Sequence, residues 1–221
     1  MNPESRTTAA EVAEAARIIS GAGLVEGFGH VSARDGDGFL ITATLPLGAA
    51  TADQVHRVDA AGKATEGAEN VPLEAPMHAA IYAARSDVNA ICRTHSPAAV
   101  RAGVLGEVPP LTHGLGGLAG DVKLSGRTDL VTDQAAGEEI AEDLGNANCL
   151  LIRGNGSIAT GQSLAEAVVR ARYLEERCLV SEGIDPADGW RAELLEPRSR
   201  WFEKETTRAW AWLRWRYRGE S

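Results

Sequence analysis

Asp35-Gly36-Asp37-Gly38 separates two short segments of strand character, residues 29–34 and 38–42. Its glycines supply the positive φ that a tight hairpin demands, so the two segments are set to pair with each other. Ahead of them, apolar residues recur at helical spacing over 8–19. Thr8 and Glu11 form a capping box there, and Gly21 and Gly23 mark the stop. Residues 55–59 read as a further short strand ended by Gly62, 74–84 as a helix and 88–92 as a buried strand. A Gly/Pro-rich crossing over 103–120 leads to a helix near 133–144 and a strand over 149–153. Ser163 and Glu166 make a second capping box, opening a helix to about 181 that Gly183 and Pro186 end. Strands and helices in this order imply an α/β domain with a central sheet and helices around it. Periodicity does not supply the strand order.

The 221 residues are enough for one substantial core. A formal charge of -9 argues against general nucleic-acid binding, which needs cationic surface to displace phosphate counterions. It leaves room for an anionic small substrate, because a pocket can be locally positive on an acidic protein. The three cysteines, Cys92, Cys149 and Cys178, show no CxxC spacing and read as reduced thiols. No apolar run approaches membrane-spanning length, and the N-terminus lacks a signal peptide's apolar core, so no membrane partner and a cytoplasmic location are expected.

Three stretches, Glu74-Ala75-Pro76-Met77-His78-Ala79-Ala80-Ile81-Tyr82, Asp87-Val88-Asn89-Ala90 and Thr94-His95-Ser96-Pro97, resemble the core pattern of the class II aldolase/adducin family. The resemblance runs over roughly 11–182. It implies a single α/β domain with a central, mostly antiparallel sheet flanked by helices, taken as residues 1–195, followed by a Trp/Arg-rich helix or tail over 196–221. It also implies a homo-oligomer, commonly a cyclic tetramer with sites between neighbouring subunits. The family usually carries His-x-His where this chain has Arg93-Thr94-His95, and a further histidine where it has Asn155. In metal-dependent members the residue at the position of Glu74 is a metal ligand or a proton-transfer group.

Glu74 and His78 are four apart and share one face of a helix. Glu74 is the catalytic candidate, and His78 reads as helix packing. Arg93 and His95, one pleat repeat apart at a strand end, point the same way. Arginine stays protonated and offers only donors. Asn155 offers a neutral oxygen, so Glu74, His95 and Asn155 make a poor transition-metal set. No cofactor is expected, with a divalent metal held by Glu74 and His95 as the alternative, or a rearranged site that recruits His30 or His113. Arg93 can instead restore the missing positive charge, pair with Glu74 and bind a carboxylate or enolate bidentately. The competing reading is a dead site in which Arg93 forms only a structural salt bridge.

Phe28-Gly29-His30-Val31-Ser32 resembles the family's decarboxylase-like branch, where sugar-phosphate aldolases have Gly-Asn-x-Ser. Val71-Pro72-Leu73 lacks the hydroxyls that such aldolases use to hold phosphate. His30, His95 and His113 are candidate acids or bases, and Ser32, Asn155 and Arg93 candidate substrate contacts. His56 reads as a surface histidine. Gly114-Leu115-Gly116-Gly117 lacks the strand and helix of a nucleotide loop.

In the tail, Trp201, Trp210, Trp212, Trp215 and Tyr217 interleave with Arg200, Arg208, Arg214, Arg216 and Arg218. A helix docking on its own or a neighbouring subunit fits this better than a membrane-surface or nucleic-acid helix. The functional expectation is a lyase acting on a small carboxylate or carbonyl compound through an enolate-like intermediate, by decarboxylation or aldol cleavage, or else a metal-free elimination or isomerisation. Arg93 takes the metal's part. The alternative is a non-catalytic, adducin-like scaffold.

Overall fold

The structure is a computed structural model describing residues 7–65, 67–68, 70–191, 193–194, 197 and 202–218. Its centre is a seven-stranded sheet built from β1 (His30–Asp35), β2 (Gly38–Thr42), β3 (Val55–Val58), β4 (Ala90–Thr94), β5 (Val122–Ser125), β6 (Cys149–Ile152) and β7 (Ser157–Gly161). The spatial order is β3-β2-β1-β4-β7-β6-β5, and every pair is antiparallel except β5 with β6. Helices α1 (Ala9–Gly21), α3 (Pro97–Leu105) and α5 (Leu164–Val180) cover one face. Helices α2 (Ala75–Ala84) and α4 (Gln134–Leu144) cover the other.

Alternation along the strands divides the core accordingly. Val31, Ala33, Cys92, Cys149, Leu151 and Ala159 pack toward α1 and α5, whereas Phe39, Ile41, Ile91, Leu150 and Ile158 pack toward α2 and α4. β4 is buried along its whole length. The three thiols are free and buried.

The capping box at Thr8 is present, and Gly36 takes φ 62° in the β1–β2 turn. At Ser163 the hydroxyl accepts from Glu166 N–H, but the returning carboxylate accepts from Gln162 N–H, one residue earlier than a capping box requires. The helix expected over 74–84 starts at Ala75, with Glu74 just outside it. The strand expected over 88–92 is displaced to Ala90–Thr94. Among the elements that lie where no strand or helix is expected are β5, β7 and a 3₁₀ stretch at Gly114–Ala119.

β7 begins at the end of a tight loop, Arg153-Gly154-Asn155-Gly156, in which Gly154 and Gly156 both have positive φ. Ile152 and Gly156 pair through Ile152 N–H donating to Gly156 C=O at 2.9 Å, so this loop closes a β6–β7 hairpin.

The tail forms α6 (Phe202–Tyr217) and docks on its own chain. Leu213 is buried in the core beneath α1 and α5, Arg214 pairs with Glu14 at 2.9 Å, and the Tyr217 ring rests on Gly21. Arg200 and Trp201 lie outside the described residues.

Candidate active site

The site grows from the centre of the sheet. Strand register places His30 of β1 opposite Arg93 of β4, and both side chains rise on the α2 side. Glu74, just ahead of α2, and His78, within it, hold the His30 ring between them. His30 Nε2 lies 3.2 Å from Glu74 Oε2, and His30 Nδ1 lies 2.7 Å from His78 Nε2. The Glu74–His78 spacing thus has a purpose: one turn apart, the two side chains reach opposite nitrogens of one imidazole.

Arg93 is the largest fully buried side chain among the described residues. Its Nε sits 3.4 Å from Glu74 Oε2, and its Nη1 donates to Thr94 C=O at 2.9 Å. Gly156 makes room for the guanidinium: a Cβ there would lie 2.8 Å from Arg93 Nη1 and 2.1 Å from Thr94 O. Arg93 Nε and Nη2, Glu74 Oε1 and His95 Nδ1 are buried with no hydrogen-bond partner among the described residues. Such atoms cost free energy unless something binds them.

Burial raises the Glu74 pKa, but the His30 hydrogen bond and the Arg93 charge outweigh it and hold the carboxyl at about 2. Burial lowers His30 and lowers His78 well below the usual imidazole value. His95 is brought to about 4, by burial and then by the neighbouring Arg93 charge, with Asn155 acting in the opposite sense. At neutral pH the site therefore holds one carboxylate, one guanidinium and three neutral imidazoles. Glu74 also stands at the positive end of α2, where a carboxylate is favoured, yet its side chain makes no capping bond.

Glu74, Arg93, His30 and His95 are brought together, with Asn155 at the His95 ring and Phe28 at its edge, 6.5 Å between ring centroids. Ser32, expected to touch substrate, does not face the open side. Its fully buried hydroxyl bonds instead to His78 Nδ1 at 2.7 Å and to Tyr82 Oη at 2.8 Å. His113 is not brought to Glu74 within this chain; its Nε2 lies 3.3 Å from Glu176 of α5, which covers the opposite face of the sheet. His56 is half-buried on β3.

Tyr82 is the group that sequence reasoning missed, together with the bonding of His78. The signal was present as Glu74, His78 and Tyr82 at four-residue intervals along one helix, facing His30 and Ser32 two apart on a strand.

Phe28, beside the His95 ring, is 79% exposed, and Leu73, next to Glu74 in the sequence, is 71% exposed. A cavity of about 1060 Å³ near Leu111, Lys123, Arg177 and Trp190 includes none of these site residues. Among the described residues, no three His, Cys, Asp or Glu side chains form a metal-holding group. The donor set is poor for a transition metal: Arg93 offers only donors and faces Glu74 Oε2, which leaves Glu74 Oε1 and His95 Nδ1 as unpartnered acceptors, fewer protein ligands than a zinc site uses.

Residues 10–181 match the Class II Aldolase and Adducin N-terminal domain. The chain is 31% identical over 199 residues to a 3,4-dihydroxyphthalate decarboxylase of Terrabacter sp. (strain DBF63), covering 83% of each. It is 33% identical over 190 residues to a 5-methylthioribulose-1-phosphate/5-deoxyribulose-1-phosphate aldolase of Rhodospirillum rubrum, covering 79% of this chain and 84% of that one. Human beta-adducin matches at 29% identity over 66% of this chain but only 21% of its own length. Among solved structures, an aldolase II superfamily protein from Pseudomonas syringae superposes with TM-score 0.78 at 22% identity, over 96% of this chain and 92% of that one, a likeness of fold.

Proposed function

The chain belongs to the class II aldolase and adducin family, and from that premise we propose that it is a lyase acting on a small carboxylate. The observation that carries this reading is the set of unpartnered buried atoms on Glu74, Arg93 and His95. Arg93 Nε and Nη2 can take the two oxygens of a carboxylate or the oxygen of an enolate as charge-assisted bonds. Decarboxylation then breaks the carbon–carboxyl bond, CO2 departs, and the electron pair left on carbon takes up a proton that enters from solvent water. We assign the relay of that proton to the Glu74 carboxylate, with the His30 N–H holding it in position, and the bonding of the substrate's oxygens to His95 and Asn155.

Decarboxylation is favoured over aldol cleavage of a sugar phosphate for two reasons. Val71-Pro72-Leu73 has no side-chain hydroxyls to hold a phosphate, and the exposed Phe28 and Leu73 side chains suit an apolar or aromatic acid. We propose that the reaction runs without a divalent metal, Arg93 supplying the positive charge. A metal held by Glu74 and His95 would have to bind beside that guanidinium. Phe28, Leu73, Val104 and Leu105 are exposed apolar side chains, consistent with a homo-oligomer, for which we propose a tetramer. If His113 takes part, it would come from another copy. No helix of the described residues is long and apolar enough to cross a membrane, and we propose a cytoplasmic enzyme.

The test is CO2 release from a panel of aromatic and aliphatic hydroxy carboxylic acids, with the wild-type chain and Arg93→Gln compared after metal chelation. Release that survives chelation and falls at least about a hundredfold in the variant, about 2.7 kcal/mol of transition-state binding, supports the reading. Release that chelation abolishes overturns the metal-free mechanism. A scaffold is the second reading, favoured by the complete burial of Arg93 against Glu74. It predicts no turnover and no carboxylate-induced rise in unfolding temperature.

A further inference from the structure

Four hydrogen bonds join five buried side chains end to end between α2 and β1. Tyr82 Oη lies 2.8 Å from Ser32 Oγ, and Ser32 Oγ 2.7 Å from His78 Nδ1. His78 Nε2 lies 2.7 Å from His30 Nδ1, and His30 Nε2 3.2 Å from Glu74 Oε2. A neutral imidazole carries one N–H, and an ionised carboxylate only accepts. These two facts order every proton in the chain. His30 must donate to Glu74 from Nε2, so its Nδ1 is bare and accepts from His78 Nε2–H. His78 Nδ1 is then bare and accepts from Ser32 O–H, whose oxygen accepts from the Tyr82 phenol.

The opposite order fails at both ends. It needs a protonated Glu74, and it turns the Tyr82 O–H away from Ser32, its one hydrogen-bond partner among the described residues. We propose that Ser32, His78 and Tyr82 are positioning residues that fix His30 in the Nε2–H tautomer. His30 thereby keeps its one N–H on Glu74 Oε2, which aims the unpartnered Glu74 Oε1 as the free acceptor.

The chain is a lock and not a wire. Passing a proton along its whole length would leave a tyrosinate at Tyr82, which burial strongly disfavours. Arg34 anchors that far end: its guanidinium lies 4.8 Å from the Tyr82 ring centroid, and its Nη2 donates to the Tyr82, Arg85 and Val88 carbonyls at 2.9, 3.0 and 3.0 Å. The use of this lock rests on the lyase reading, but the tautomers belong to the ligand-free chain and are measurable without any substrate.

The experiment is long-range proton–nitrogen NMR of ligand-free protein labelled with 15N-histidine at neutral pH, with His30→Gln and His78→Gln as assignment controls. Protonated Nε2 and bare Nδ1 are expected at both rings; an Nδ1–H at either one overturns the proposal. E74Q then removes the acceptor-only end, since an amide can donate or accept. With Tyr82 in place, His30 should remain Nε2–H in E74Q, and it should become a mixture of tautomers when Tyr82→Phe is added. A mixture already in E74Q, or a single tautomer in both variants, overturns the role of Tyr82. If that double variant fails to fold, E74Q with Ser32→Ala gives the same reading. A packing role alone would leave the tautomers unmoved.

Discussion

Replacing Glu74 by glutamine removes the counter-charge of a guanidinium that has no contact with solvent. Its cost can be reached by two routes. The carboxyl is depressed from an ordinary 4.5 to about 2, and at about 1.4 kcal/mol per pH unit that is about 3 kcal/mol in favour of the ionised form. Removing one partner of a buried ion pair typically costs about 3–5 kcal/mol, and the two agree. For a domain of this size about 3 kcal/mol lowers Tm by roughly 6–12 °C. The pH dependence follows from the sign of the shift. Because the folded pKa lies below the unfolded one, the stabilisation is complete above pH 4.5 and is lost as pH falls toward about 2. The gap between wild type and E74Q, measured by urea unfolding, should be about 3 kcal/mol at pH 7 and less than half of that at about pH 3. An E74Q protein as stable as wild type at pH 7, or a gap that ignores acid, would refute the reasoning.

Gly156→Ala forces φ 75° on an alanine and drives its Cβ into Thr94 O and Arg93 Nη1; a loss of at least about 1–3 kcal/mol in denaturant titration is expected. Arg93→Lys keeps the charge but loses the planar fork, so binding of a carboxylate inhibitor should weaken at least about tenfold by calorimetry. Restoring the family's ligands with Arg93→His plus Asn155→His should create affinity for zinc, read as metal content after dialysis; a variant that binds no divalent ion would count against equating these positions with the family's histidines. Leu213→Ala hollows the seat of α6 and should cost about 2–5 kcal/mol, measured from the same urea curves.

Much of this fold was legible where local chemistry dictates it. Thr8 with Glu11 and the Gly36 turn announced a helix and a hairpin because capping and positive φ are decided within four residues. β5 and β7 were not. Val122–Ser125 has only four residues and follows a run of glycines, and Ser157–Gly161 carries small side chains whose strand state comes from pairing with β4. The convergence of Glu74, Arg93, His95 and His30 was readable from motif and residue type. The bonds of Ser32 to His78 and Tyr82 were not, because a serine on a strand does not declare which neighbours will claim its hydroxyl. Tyr82 went unnoticed because it looks like core, which it also is, packed 5.2 Å from the Phe39 ring. Where His113 lies relative to the site is set by which sheet face its loop reaches, and no local pattern encodes that.

The pairing of His30 with Arg93 has a consequence for how the protein acquires activity during folding. The bonds that tie β1 to the Glu74–His78 segment span a long stretch of chain: 44 residues from His30 to Glu74, 46 from Ser32 to His78 and 48 from His30 to His78. A slip of one residue between β1 and β4 would send His30 or Arg93 to the opposite face of the sheet. The chemical centre therefore cannot exist in a partly zipped intermediate, and contacts this distant in sequence are slow to form. Recovery of ligand binding after dilution from denaturant should coincide with closure of the central sheet and lag behind the return of helical signal.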